Sequence, residues 1–120
     1  MKKGFTLIEL VMIIVILGIL AAVAVPKYFD FQASAKLAAE KGVVGGVRAG
    51  ILTYFAQNKT LPTPGLDSAV VGACTAANIC FSTVLQQGGI TSDWTKATAT
   101  TYTGPAGTTY TYTAATGDFK

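Results

Sequence analysis

Hydrophobic and polar positions divide the chain into three textures. Phe5 to Val25 reads FTLIELVMIIVILGILAAVAV, 21 residues in which Glu9 is the one charge. As a helix this run is about 31 Å long at roughly 1.5 Å per residue, enough to cross the apolar core of a bilayer. Helical periodicity then takes over. Ala33, Leu37, Val44, Val47, Ile51 and Tyr54/Phe55 recur at three-, four- and seven-residue steps, which predicts an amphipathic helix. Pro62 and Pro64 forbid its continuation, so its end is predicted near Asn58. The third texture is threonine and tyrosine. Residues 98–103 and 108–113 flank Gly104-Pro105-Ala106-Gly107, the pattern of two strands joined by a four-residue turn. Tyr110 and Tyr112 fall on one face of the second strand, placed to pack on the helix. Ser82 to Gly88 fits a short capped helix or a strand equally.

Small residues add a second stripe to the amphipathic segment: Ala38, Gly42, Gly46 and Gly50, at four-residue spacing. Each glycine weakens an isolated helix by roughly 1 kcal/mol. The stripe therefore suggests close approach by a neighbouring sheet or helix, the alternative being compositional drift. Gly18 and Pro26 bracket a weak interval in the apolar run, since Pro26 lacks a backbone donor and clashes with the preceding turn.

Composition narrows the function. Of 120 residues 51% are hydrophobic and only 12% charged, which excludes disorder and points to a membrane-directed segment plus an uncharged polar surface. Threonine supplies that surface, with 11 of the last 30 residues. Histidine is absent, which removes the usual general base and the commonest metal ligand. The six carboxylates are scattered, two cysteines cannot complete a four-cysteine zinc site, and no glycine-rich phosphate loop occurs. No enzyme, cofactor or metal is expected. The net charge of +3 depends on Lys2 and Lys3. Without them seven cationic side chains face six anionic ones, no footprint for nucleic acid.

Three readings of the N-terminus compete. A secretory signal peptide would use Lys2-Lys3 as its basic region and Ala22-Val23-Ala24 as its cleavage site. Its apolar run is too long for that reading and contains a carboxylate. A plain membrane anchor also leaves Glu9 unexplained, because a charge inside the bilayer costs a few kcal/mol on insertion scales. In the third reading Glu9 has a partner. Cleavage between Gly4 and Phe5 would create an α-amino group one helical turn from Glu9. An ammonium and a carboxylate in apolar surroundings will pair, within a chain or between neighbours.

Gly4-Phe5-Thr6-Leu7-Ile8-Glu9, after a short basic leader and before an apolar helix with Gly18 and Pro26, resembles the prepilin motif of type IV pilins. The resemblance covers about the first 30 residues. It implies an α+β, pilin-like fold: a long N-terminal helix, apolar in its first half and amphipathic in its second, on a small antiparallel β-sheet head. It also implies a leader at 1–4, removed by a prepilin peptidase, a helix at 5–58 whose 5–25 part spans the membrane and later forms the filament core, and a head at 59–120. Phe5 would be N-methylated, and Glu9 would pair with the terminal amine of an adjacent subunit. Gly18 and Pro26 would bracket an interval that loses regular helix in the filament, the alternative being a kinked but continuous helix. The implied partners are further copies of the chain in a homopolymer, the inner membrane before assembly, the peptidase and the pilus assembly machinery. The precursor would lie in the inner membrane and the product in an extracellular pilus serving adhesion or motility.

The head is small enough to need the helix or a staple. Cys74 and Cys80 can supply one in an oxidising compartment, at roughly 2–2.5 kcal/mol for so short a loop, the alternative being a reduced pair. Pro26-Lys27-Tyr28-Phe29-Asp30-Phe31-Gln32 and the short Cys74–Cys80 loop are similar to mannose-sensitive haemagglutinin pilins. A second possibility is a pseudopilin of a type II secretion system in a periplasmic pseudopilus. Many of those carry a calcium site in a C-terminal loop, for which Asp93 and Asp118 are too few ligands. A third is electron conduction through Phe5, Tyr28, Phe29, Phe31, Tyr54 and Phe55, residues that equally serve as packing. Asn58-Lys59-Thr60 matches a glycosylation sequon, a pattern that arises readily by chance.

Overall fold

The computed structural model describes residues 4–120; Met1, Lys2 and Lys3 of the expected leader lie outside the described residues. One helix, α1 (Leu7–Asn58), precedes five strands: β1 (Gly72–Ala73), β2 (Thr95–Lys96), β3 (Thr101–Thr103), β4 (Thr109–Thr113) and β5 (Asp118–Phe119). The strands form one antiparallel sheet in chain order. The α+β expectation, a long N-terminal helix with a small antiparallel sheet, is borne out. By internal contact the chain divides into two compact units, Met1–Ala35 and Lys36–Lys120.

From Leu7 to Ala35 the first unit is helix. Every described residue of it is exposed, including the whole apolar run. Leu7–Asn58 includes both Gly18 and Pro26, so in the single chain the bracketed interval is helical. The helix begins at Leu7, two residues later than expected, because Thr6 caps it rather than joining it. Lys59, at φ 60°, ends the other side in the left-handed region, and its N–H donates to the Phe55 carbonyl at 2.8 Å.

The second unit holds the core. Val44, Val47 and Ile51 are buried as the periodicity predicts, but Ala33, Leu37 and Phe55 are exposed and Tyr54 is half-buried. The buried stripe is shorter than expected and starts with a carboxylate, since Glu40 lies one turn before Val44 and is fully buried. The small-residue stripe serves close approach at one place. A Cβ on Gly50 would overlap the Val84 carbonyl oxygen, whereas Gly46 has ordinary room beside Leu85 and Gly42 faces open space. What approaches is the loop carrying Val84, not a strand of the sheet.

The hairpin forms as predicted, with Tyr102 opposite Tyr110 and the turn at 104–107. Its first strand starts only at Thr101. Tyr112 is buried and its hydroxyl donates to the Pro62 carbonyl at 2.9 Å; Tyr110 reaches the helix through Glu40. Burial raises the Tyr112 pKa. Residues 82–88 are neither helix nor strand but successive turns, in which Val84 and Leu85 both donate to the Phe81 carbonyl. Phe81 centres the aromatic core, with ring centroids 4.3 Å from Tyr102, 5.4 Å from Trp94 and 5.6 Å from Phe119. Its φ of 59° is unfavourable for a bulky residue. Its N–H is held by the Asp67 carboxylate at 2.6 Å. Burial, then the Asp67 charge, pushes the Tyr102 phenol far up from its ordinary value. Cys74 and Cys80 form the expected disulfide, with Cα atoms 5.5 Å apart.

Candidate assembly terminus

Gly4 and Phe5 precede the helix and are exposed, Phe5 to 83%. A peptide bond there is open to an enzyme, and Gly4 presents no side chain: nothing lies within 4 Å of where a Cβ would stand. Thr6 and Glu9 then make a reciprocal pair. The Thr6 N–H donates to Glu9 Oε2 at 3.0 Å, and the Glu9 N–H donates to Thr6 Oγ1 at 3.3 Å. This is a capping box, which satisfies two backbone donors that the first helical turn leaves without partners. The Thr6 carbonyl accepts from the Leu10 N–H at 3.3 Å, the first turn of α1.

Glu9 therefore has a local partner, Thr6, besides the Phe5 amine that the sequence suggests. The signal was present: Thr6-Leu7-Ile8-Glu9 is the T-x-x-E pattern directly before an apolar run. In the uncleaved chain the Phe5 nitrogen is a peptide amide, so Thr6 is the partner on hand. Beyond this terminus α1 presents Leu10 through Val25 as an uninterrupted exposed apolar surface, Leu10 at 52% and Ile19 at 64% exposure. The described residues contain one helix long and apolar enough to cross a membrane, by length and composition.

The other singled-out residues are distributed. Gly18 and Pro26 lie within α1 of the first unit, and the disulfide lies in the second. Among the described residues no three His, Cys, Asp or Glu side chains gather to hold a metal. Of the helix aromatics weighed for conduction, Tyr28 and Phe29 form an edge-to-face contact at 6.4 Å; the other aromatic contacts among the described residues belong to the head core.

Comparison with known proteins meets this terminus directly. The family model for the prokaryotic N-terminal methylation motif matches residues 1–25. The fimbrial protein EcpC of Eikenella corrodens is 36% identical over 77 residues, 64% of this chain and 48% of that protein. The type IV major pilin protein PilE of Neisseria gonorrhoeae is 36% identical over 73 residues, 61% of this chain and 44% of PilE. A fimbrial protein of Moraxella nonliquefaciens is 40% identical over 72 residues, 55% of this chain and 47% of the relative. The chain spans less than half the length of these curated relatives. No solved structure gives a significant match. The methylation motif and the pilin and fimbrial proteins are thus what this chain is similar to, over its N-terminal part.

Proposed function

We propose that this chain is the structural subunit of a type IV pilus, cleaved after Gly4, N-methylated at Phe5 and polymerised through its N-terminal helix. The observation that carries this reading is the methylation motif at residues 1–25, set at the start of an exposed apolar helix. Such a surface has two stable environments, a bilayer and a bundle of like helices, and the proposed life of the subunit uses them in turn. Lys2 and Lys3 hold the leader on the cytoplasmic side, and the head faces outward. Cleavage turns the Phe5 amide into an ammonium. Glu9 then exchanges its local partner Thr6 for the terminal amine of an adjacent subunit. A copy docked one turn out of register would leave both charges unpaired, so the pair selects register as well as partner. A prepilin peptidase and an assembly machinery in the inner membrane are the partners this route requires.

Intact mass of the chain purified from filaments tests the reading. The expected mass lacks residues 1–4, carries one added methyl group and lacks the two hydrogens of the Cys74–Cys80 disulfide. Filament protein retaining Met1 would refute cleavage and with it the route. Gly4→Asp should accumulate as uncleaved precursor in the membrane.

A further inference from the structure

Along α1 every described residue up to Ala39 is exposed, and the first buried side chain is a carboxylate. Glu40 is fully buried, yet among the described residues no lysine or arginine forms an ion pair with it. Its ligands are neutral and come from the hairpin: the Ala106 N–H to Oε2 at 2.8 Å and the Tyr110 hydroxyl to Oε1 at 2.8 Å. Thr108 also acts on the carboxylate, through side chain and backbone. The turn fits closely around the carboxylate, since a Cβ at Gly104 would overlap it. No apolar side chain of the turn replaces this contact: Pro105 is half-buried, while Ala106 and Gly107 are exposed. The tip of the hairpin is thus held to the helix by one buried anion.

We propose that Glu40 and the β3–β4 turn form a proton-sensitive clasp, which releases the hairpin tip from α1 while the rest of the head stays folded. Protonation turns an acceptor of charge-assisted hydrogen bonds into a carboxylic acid. One oxygen then carries a proton pointed at groups that are themselves donors. The remaining ties of the head are independent of Glu40. Asp67 with Lys96 and the Cys74–Cys80 disulfide lie on other segments, and the Phe81 cluster meets the hairpin at Tyr102, outside the turn. The titratable or charged groups acting at the clasp are Tyr110 from β4 and, further along α1, Arg48, whose charge acts on Tyr110. Lys36 and Lys41, the other cations nearest in sequence, are exposed.

The sign follows from the partners. Burial alone would raise the carboxyl, but the hydrogen bonds of Thr108, Tyr110 and Ala106 outweigh it and lower Glu40 below its ordinary value of 4.5. A lowered folded-state value means the clasp is fully held above the ordinary carboxylate range and is lost as pH falls through the folded value. Tyr110, raised by burial and then by Glu40, stays a neutral donor throughout that window.

Amide hydrogen exchange on the full chain in detergent micelles, between pH 6 and pH 3 and corrected for intrinsic rates, tests the clasp. Exchange in 104–110 and at the start of the buried helix should accelerate by up to about tenfold per pH unit as pH falls from the ordinary carboxylate value of 4.5 toward the lower folded value, and should level off below it, as uptake of one proton on opening requires. The strands around Tyr102 and Phe119 should keep their protection. Tyr110→Phe, which removes one donor to the anion and so raises the folded value, should move the levelling-off to higher pH. Glu40→Gln should give a pH-independent profile; if it does not fold, the Tyr110→Phe shift remains the discriminating result. A flat profile in the unaltered chain, acceleration spread evenly over all strands, or an unmoved levelling-off in Tyr110→Phe would each overturn the proposal.

Discussion

The Asp67 carboxylate accepts hydrogen bonds from the Ala69 N–H at 3.1 Å, the Phe81 N–H at 2.6 Å, Lys96 Nζ at 2.5 Å and the Tyr102 hydroxyl at 2.9 Å. It joins a loop, a strained aromatic position and two strands through one side chain. Asp67 and Lys96 are both buried, so the pair is an internal ion pair with its remaining hydrogen-bond demand met by the backbone and Tyr102. Replacing such a pair by apolar residues is often neutral, but deleting one partner strands the other charge at a cost of about 3–5 kcal/mol. Asp67→Ala should therefore lose most of the head's stability, given that whole domains are stable by only about 5–15 kcal/mol. The double change Asp67→Ala with Lys96→Met should recover part of it. Urea unfolding followed by Trp94 fluorescence measures both; equal midpoints for the parent and Asp67→Ala would show that the node is dispensable.

At the scale of elements, what was legible in the sequence is what local periodicity controls. The helix from its apolar run to Asn58 and the hairpin around 104–107 follow from spacing and turn residues, and both are present. The segment from Leu61 to Trp94 was not legible. Its two-residue strand and its chain of turns are set by distant partners, Asp67 for Phe81 and Ile90 for Cys80, rather than by any repeat of its own. Glu40 escaped for a related reason. A carboxylate breaks an apolar pattern even though it sits one turn from Val44 on the same face, and its burial depends on donors 66 and 70 residues away. The glycine stripe was half right: the spacing was visible, but which glycine is needed depends on where Val84 comes to rest. That gives a test with opposite signs on one helix. Gly50→Ala should destabilise the head by about 1–3 kcal/mol through overlap with the Val84 carbonyl. Gly42→Ala, facing open space, should stabilise it by up to about 1 kcal/mol through helix propensity. Thermal melting compares them: a stabilised Gly50→Ala would mean that the loop moves to accommodate it, and a destabilised Gly42→Ala that open space is not what that glycine faces.

For the whole molecule, the two units differ in how they are completed. Lys36–Lys120 closes its own core around Phe81, whereas the described part of Met1–Ala35 buries nothing. The second is complete within one chain; in the proposed function the first is completed by a membrane or by other copies, which gives Glu9 its weight. In the single chain Glu9 does a local task with Thr6, and in the proposed filament it does a charge-pairing task with another copy. Three substitutions separate the two. Thr6→Ala removes the cap, at about 1 kcal/mol of helix-end stability, but keeps the carboxylate. Glu9→Gln keeps the capping box, because glutamine serves at that position, but removes the charge. Glu9→Val removes both. If pairing with the Phe5 ammonium drives assembly, all three should be inserted and cleaved, Thr6→Ala should still polymerise, and Glu9→Gln should fail almost as completely as Glu9→Val. Sheared-filament yield against membrane-pool subunit, measured by immunoblot, reads this directly. Normal filaments from Glu9→Gln together with failure of Thr6→Ala would assign the carboxylate to the capping box alone, and the charge pair would have to be abandoned as the source of register.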